Sequence, residues 1–182
     1  RTVCEWNIGS RSLELGKRTL VMGVVNVTPD SFSDGGLYLN RDQAVPHGLK
    51  LLEDGCDILD IGGESTRPGT SIVAGQASAM KSSPPHVTEK EELARVIPVI
   101  EKLKQERSNI VISVDTYKAS VARAAIAAGA EIVNDVSGFR WDPLMKGTIS
   151  EMKCGTVLMH TRGRPEEWNS LPSISDMVVL VK

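Results

Sequence analysis

Aromatic side chains are scarce, at 4% of the 182 residues, so a core has to be built from Val, Ile, Leu and Ala. Cysteine lacks any pairing pattern. Cys4, Cys56 and Cys154 are odd in number and far apart, with no CxxC, which excludes a disulfide framework and a cysteine zinc site. Cys56 and Cys154 adjoin apolar runs and read as small buried residues. Reduced thiols favour the cytoplasm, with the mitochondrial matrix as the alternative. The spacing of His47, His86 and His160 neither makes nor forbids a metal site. There is no apolar run of roughly 18 residues, so no transmembrane helix is expected. Charge of one sign is missing too: 21 Lys and Arg face 23 Asp and Glu, a net charge of -2. That balance offers no basic face for nucleic acid and no acidic tail, which leaves a small-molecule enzyme or binding domain as the expectation. Neither an initiator Met nor an apolar signal region opens the sequence. The expectation is a processed chain or a piece of a longer one.

What is present is a repeating unit. Five short runs rich in β-branched residues, Leu20–Val25, Ile58–Ile61, Ile110–Val114, Glu131–Val133 and Thr156–Met159, are too short for helices. They are near-continuously apolar, as parallel strands covered on both faces require. Between them lie helical signatures. Thr88-Glu89-Lys90-Glu91 is a capping box, followed by an apolar stripe through Leu93, Val96, Ile97, Ile100 and Leu103. Tyr117–Ala128 is Ala-rich and stops at Gly129. Asp142-Pro143 reads as an N-cap followed by Pro at the first helical position. A helix over Asp42–Asp54 tolerates Pro46 only in its first turn. Residues 1–19 read as a β-hairpin turning at Gly9-Ser10. The segment Thr70–Val87, TSIVAGQASAMKSSPPHV, has no period and reads as an atypical loop insertion.

Alternating strands and helices imply a parallel sheet, open and doubly wound or closed as a barrel. The first loop, Asn26-Val27-Thr28-Pro29-Asp30, has no GxGxxG, which favours the barrel. Five units do not close an eight-stranded barrel of roughly 250 residues. The sequence therefore reads as about five βα units of a partial (β/α)8 TIM barrel, the first two-thirds of a longer protein. Met177–Lys182 would open its fifth helix.

In such barrels the carboxyl ends of the strands share one rim. Those positions hold Asn26, Asp60 through Arg67, Asp115, Asn134-Asp135 and His160. Asp115 and Asn134 offer an anionic acceptor and an amide, suited to a flat heterocycle with amino and amide edges. Asn26 offers one neutral oxygen, enough to complete the shell of a Mg²⁺ held mainly by water and phosphate. Thr66 and Arg67 suit phosphate or carboxylate oxygens. Thr28–Gly36 and Gly62–Gly69 are Gly-, Pro- and Ser-rich loops able to close over the rim.

These residues lie in segments that resemble the dihydropteroate synthase family. MGVVNVTPDSFSDGG at Met22–Gly36 and DILDIGGESTRPG at Asp57–Gly69 are similar to its first two signatures. SVDTYKASVARAAIAAGAEIVNDVSG at Ser113–Gly138 and LMHTRGRP at Leu158–Pro165 follow in the family's order. The wording is closer to fungal-type versions, which are often fused to earlier enzymes of folate synthesis. The resemblance implies an incomplete pterin-binding domain over 1–182, interrupted at 70–87. It implies transfer of a dihydropterin methylene group from pyrophosphate to para-aminobenzoate, with Mg²⁺ as cofactor and a homodimer in the complete protein. By the same resemblance, Asp115 and Asn134 bind the pterin, Asp115 stabilises a cation, and Met159 lines the pocket. Asn26 touches Mg²⁺ and pyrophosphate, and Thr66 and Arg67 serve the pyrophosphate side. Asp30, Phe32, Ser33 and Pro68 shape the para-aminobenzoate pocket. The family's later Asp, Lys and Arg-x-His would fall beyond Lys182, so the isolated chain is expected not to turn over. Two other readings are a pterin-binding corrinoid methyltransferase domain, which needs neither TPDSFSDGG nor STRPG, and a non-catalytic truncated paralogue.

Overall fold

The computed structural model describes residues 2–27, 36–64 and 87–181. Two strands, β1 (Cys4–Asn7) and β2 (Ser12–Leu15), form an antiparallel hairpin. Gly9 supplies the positive φ of +92° that its turn needs. Then come β3 (Met22–Asn26), α1 (Gly36–Glu53), β4 (Ile58–Gly62), α2 (Glu89–Glu106), β5 (Val111–Asp115) and α3 (Ala119–Ala127). They are followed by β6 (Ile132–Asp135), α4 (Met145–Met152), β7 (Gly155–Leu158), a 3₁₀ turn over Pro165–Ser170 and α5 (Met177–Val181).

The five later strands make one parallel sheet in strict chain order, β3-β4-β5-β6-β7. A doubly wound sheet would reverse direction at a switch point, and this one does not. The packing gives the two faces different neighbours. One carries Val25, Leu59, Ile61, Ile112, Val114 and Val133 into a core with Val96, Ile100 and Leu103 of α2 and Val121 and Ala125 of α3. Each fully buried aliphatic side chain there contributes about 1.5–3 kcal/mol. The other face is the barrel interior. Its lower end is stoppered by the hairpin, whose Ile8 packs on Ile58, Val111 and Ile132. Gly155 makes room for that stopper, since a Cβ there would lie 2.6 Å from Ile8. This is the partial (β/α)8 barrel with an N-terminal hairpin that the sequence pattern implies.

Several local expectations are corrected. Helix α1 begins at Gly36, six residues before Asp42, and holds Pro46 in its interior. Pro46 and Asp42 are both exposed, so the carbonyl freed four residues back faces water. The capping box of α2 is present: Thr88 Oγ1 accepts from the Glu91 amide at 3.2 Å and Glu91 accepts from the Thr88 amide at 2.7 Å. The buried stripe of α2, however, is Glu92, Val96, Val99, Ile100 and Leu103, with Leu93 and Ile97 only partly covered. Helix α4 starts at Met145 rather than Pro143, because Asp142 has a different task. Its Oδ2 accepts from the Ala119 amide at 2.7 Å and so caps α3, while Oδ1 accepts from Leu144 at 2.9 Å. Cys56 and Cys154 are half-buried and Cys4 is exposed. But for Val87, the 70–87 stretch lies outside the described residues.

Candidate functional site at the carboxyl ends of the strands

The ladder register sets one row of residues across the top of the sheet. Asn26 pairs with Gly62, Gly62 with Asp115, and Asp115 with Asn134. Side chains two apart share a face, so this row stands above a second one of Val24, Asp60, Ser113 and Ile132. Gly62 is a gap between two functional groups. A Cβ added there would lie 3.6 Å from Asp115 Oδ2 and 3.7 Å from Asn26 Oδ1. The carboxylate and the amide thus flank one small space. Met159, one residue past β7, is 39% exposed and donates its amide to the Asp135 carbonyl at 3.1 Å. Its parity follows Val157, which pairs with Asn134 and packs toward the lower interior cluster. Asn26, Asp115, Asn134 and Met159 are therefore gathered at one end of the sheet. Asp30, Phe32, Ser33, Thr66, Arg67 and Pro68 lie outside the described residues.

The electrostatics of this end are unusual. Burial, then the charges of Asp60, Glu92, Asp135 and Glu64, push the Asp115 carboxyl up to about 8. Burial also raises Asp60, which is only 3% exposed, against the neighbouring Ser113 hydroxyl and the hydrogen bond that Asn134 Nδ2 donates to its Oδ2 at 2.9 Å. Asp60 Oδ1 and Ser113 Oγ are buried without a partner among the described residues. Such groups await either a donor from ligand or an ordered water. Asp135 is committed to the loop after β6, accepting from the amides of Ser137 at 2.7 Å and Phe139 at 2.9 Å. His160 is exposed.

A buried ion cluster braces the same end. Lys118 Nζ donates to Glu64 at 2.5 Å and to Glu92, and lies 4.7 Å from the Tyr117 ring centre. It ties the residue after β4 to α2 and α3. Sequence reading singled out neither Lys118 nor Glu92, and took in Glu64 only as part of the rim stretch Asp60–Arg67. The available signal was Glu92, four residues before Val96 on the stripe side of α2, where a charge needs a partner.

The residues fit Mg²⁺ only in part. Among the described residues no three His, Cys, Asp or Glu side chains converge as a metal site. Asn26 supplies one neutral oxygen, so an ion here would have to bring most of its shell with water and ligand phosphate.

A sequential parallel sheet with helices on one face, a stoppered lower end and polar groups at the strands' carboxyl ends defines a (β/α)-barrel ligand-binding domain. A family model described as "Pterin binding enzyme" matches residues 22–182, and the chain belongs to that family. It is 46% identical over 172 residues to a dihydropteroate synthase of Bacillus subtilis, covering 94% of this chain and 55% of the relative. Its fold resembles the Xanthomonas albilineans dihydropteroate synthase with 4-aminobenzoic acid, at TM-score 0.78 and 44% identity, covering 99% of this chain and 57% of that one. It also resembles the same bacterium's enzyme in complex with 7,8-dihydropteroate, at TM-score 0.75 and 40% identity, covering 98% and 56%. The chain spans about half the length of the curated relatives it matches.

Proposed function

We propose that the whole protein is a dihydropteroate synthase, joining 6-hydroxymethyl-7,8-dihydropterin pyrophosphate to para-aminobenzoate. The observation that carries this reading is the row Asn26–Gly62–Asp115–Asn134 across four neighbouring strands, in a chain of the pterin binding enzyme family. The bond between the pterin methylene carbon and its diphosphate oxygen breaks, and the electron pair leaves with pyrophosphate. The aniline nitrogen bonds to that carbon and gives up a proton, leaving 7,8-dihydropteroate.

Each residue's role follows from its chemistry. Asn134 and Asp115 read the amino and amide edges of the pterin, Met159 covers its apolar side, and ionised Asp115 stabilises the methylene cation. Asn26 would contribute one oxygen to a Mg²⁺, which when bound would neutralise charge on the leaving group. Thr66 and Arg67 donate to the same phosphate oxygens, and Asp30, Phe32, Ser33 and Pro68 form the para-aminobenzoate pocket; these six assignments rest on the motifs alone. No described helix is long and apolar enough to cross a membrane. On its unpaired cysteines we place the enzyme in the cytoplasm, and on the family resemblance we read it as a homodimer.

The test is turnover by the purified whole protein given both substrates. Dihydropteroate and pyrophosphate are expected in equal amounts, and pyrophosphate release with no dihydropteroate formed when both substrates are present would contradict the reading. Arg67→Ala should weaken binding of the pterin diphosphate more than of the bare pterin in calorimetry. Equal losses would remove Arg67 from the phosphate side.

A further inference from the structure

Asp60 is an acidic residue on the interior face of the sheet, beside Ser113, with one hydrogen bond among the described residues. It pairs in register with Val24 on one side and Ser113 on the other, one layer beneath the rim, and is 3% exposed. The contact is with Asn134, whose Nδ2 donates to Asp60 Oδ2 at 2.9 Å. A side-chain amide can present either its oxygen or its nitrogen to a neighbour. An ionised carboxylate only accepts, so it selects the nitrogen. Asn134 Oδ1 makes no hydrogen bond with another described residue and is left for ligand.

On the pterin reading above, we propose that Asp60 is a positioning residue of that site: it turns the Asn134 amide nitrogen inward so that the amide oxygen faces the heterocycle. The consequence is specificity. An amide locked this way accepts from an N–H edge of the ring and rejects a ring that presents an acceptor there. A freely turning amide would take both, at the cost of ordering itself on binding. Asp60 thereby sets which face of a neighbouring group the ligand meets, without needing to touch the ligand.

The proposal is tested by a double-mutant cycle in the whole protein, with 6-hydroxymethylpterin as probe and affinity read by calorimetry. Asp60→Asn keeps the size of the side chain and removes its acceptor-only character. It should weaken the probe about tenfold when Asn134 is present and no more than about twofold in the Asn134→Ala background. Equal weakening in both backgrounds, or none, would overturn the proposal, because Asp60 would then act without Asn134. The wild-type protein gives a second readout that does not depend on the variant folding. One Asn134 side-chain N–H proton should be protected from exchange and shifted downfield, whereas two equivalent, rapidly exchanging protons would overturn the assignment. If the wild-type protein does not bind the probe at all, the pterin reading itself fails. Binding without the coupling defeats only the role given to Asp60.

Discussion

Two carboxylates at the lower end of the barrel, Glu131 and Asp57, and two at the upper end, Asp115 and Asp60, are held in opposite ways. Each of the lower two has its cation. Burial would raise Glu131, but bonds from Arg11, Ser10 and Lys104 outweigh it and bring the carboxyl down to about 2. Arg11 reaches it through Nε at 2.8 Å and Nη2 at 2.6 Å, which pins the hairpin to the base of β6. Asp57, beside the Arg18 guanidinium and the Val21 amide, is likewise held at about 2. At the upper end Glu64 and Glu92 share Lys118, but Asp115 is pushed the other way, to about 8, and the one hydrogen bond to Asp60 among the described residues comes from the Asn134 amide. The lower end is arranged for stability. The upper end carries a cost in stability that only a ligand or further cationic groups would offset, as expected where barrels bind.

The sharpest way to break this contrast is Asp115→Ala in the whole protein. It should lower kcat/KM for dihydropteroate formation by at least about 100-fold, on the scale of losing one charge-stabilising group. The same variant should unfold no more easily than wild type at pH 8. A large loss of stability with normal turnover would reverse the roles given to the two ends. Next in size is Glu131→Ala, which strands Arg11 and Lys104 and should cost about 3 kcal/mol in urea denaturation. Pterin affinity should stay within about twofold of wild type, as expected of a change distant from the site.

Proton linkage gives the two ends different pH dependences. Glu131 and Asp57 sit below their ordinary values in the folded state, so the stability they contribute is full above about pH 4.5 and is lost as pH falls toward 2. Asp115 sits above its ordinary value, so the folded chain holds a proton that the unfolded chain releases. Its contribution declines as pH rises from about 4 to about 8. Asp115→Asn should flatten that decline in a series of denaturation curves and leave the acid limb unchanged. The smallest expected effect is Thr88→Ala, which removes one half of the α2 capping box and should cost about 1 kcal/mol without changing either limb.

The parallel strands and the capping box were legible in the sequence because each depends on neighbours in the chain. Val111–Asp115 is apolar but for Ser113 until its last residue, and that residue faces Asn134 across the ladder. What could not be read depends on contacts far apart in sequence. Asp142 looked like the cap of the helix that follows it, yet it caps α3, 23 residues earlier. Glu92 is one of three acids in the first turn of α2, and only the fold puts Lys118 beside it. Asp60 stood in a strand among apolar residues, and nothing local assigned it to Asn134. The start of α1 was misplaced because Pro46 reads as a first-turn residue, and only tertiary exposure decides whether a freed carbonyl is tolerated.

The most direct measurement is a crystal structure of the whole protein grown with 6-hydroxymethylpterin. The account predicts the ring at the carboxyl ends of β5 and β6, within hydrogen-bond distance of both the Asp115 carboxyl and the Asn134 amide. A ring bound elsewhere, for instance in a cavity at the lower end lined by Ile8, Arg11, Lys104 and Glu131, would contradict it.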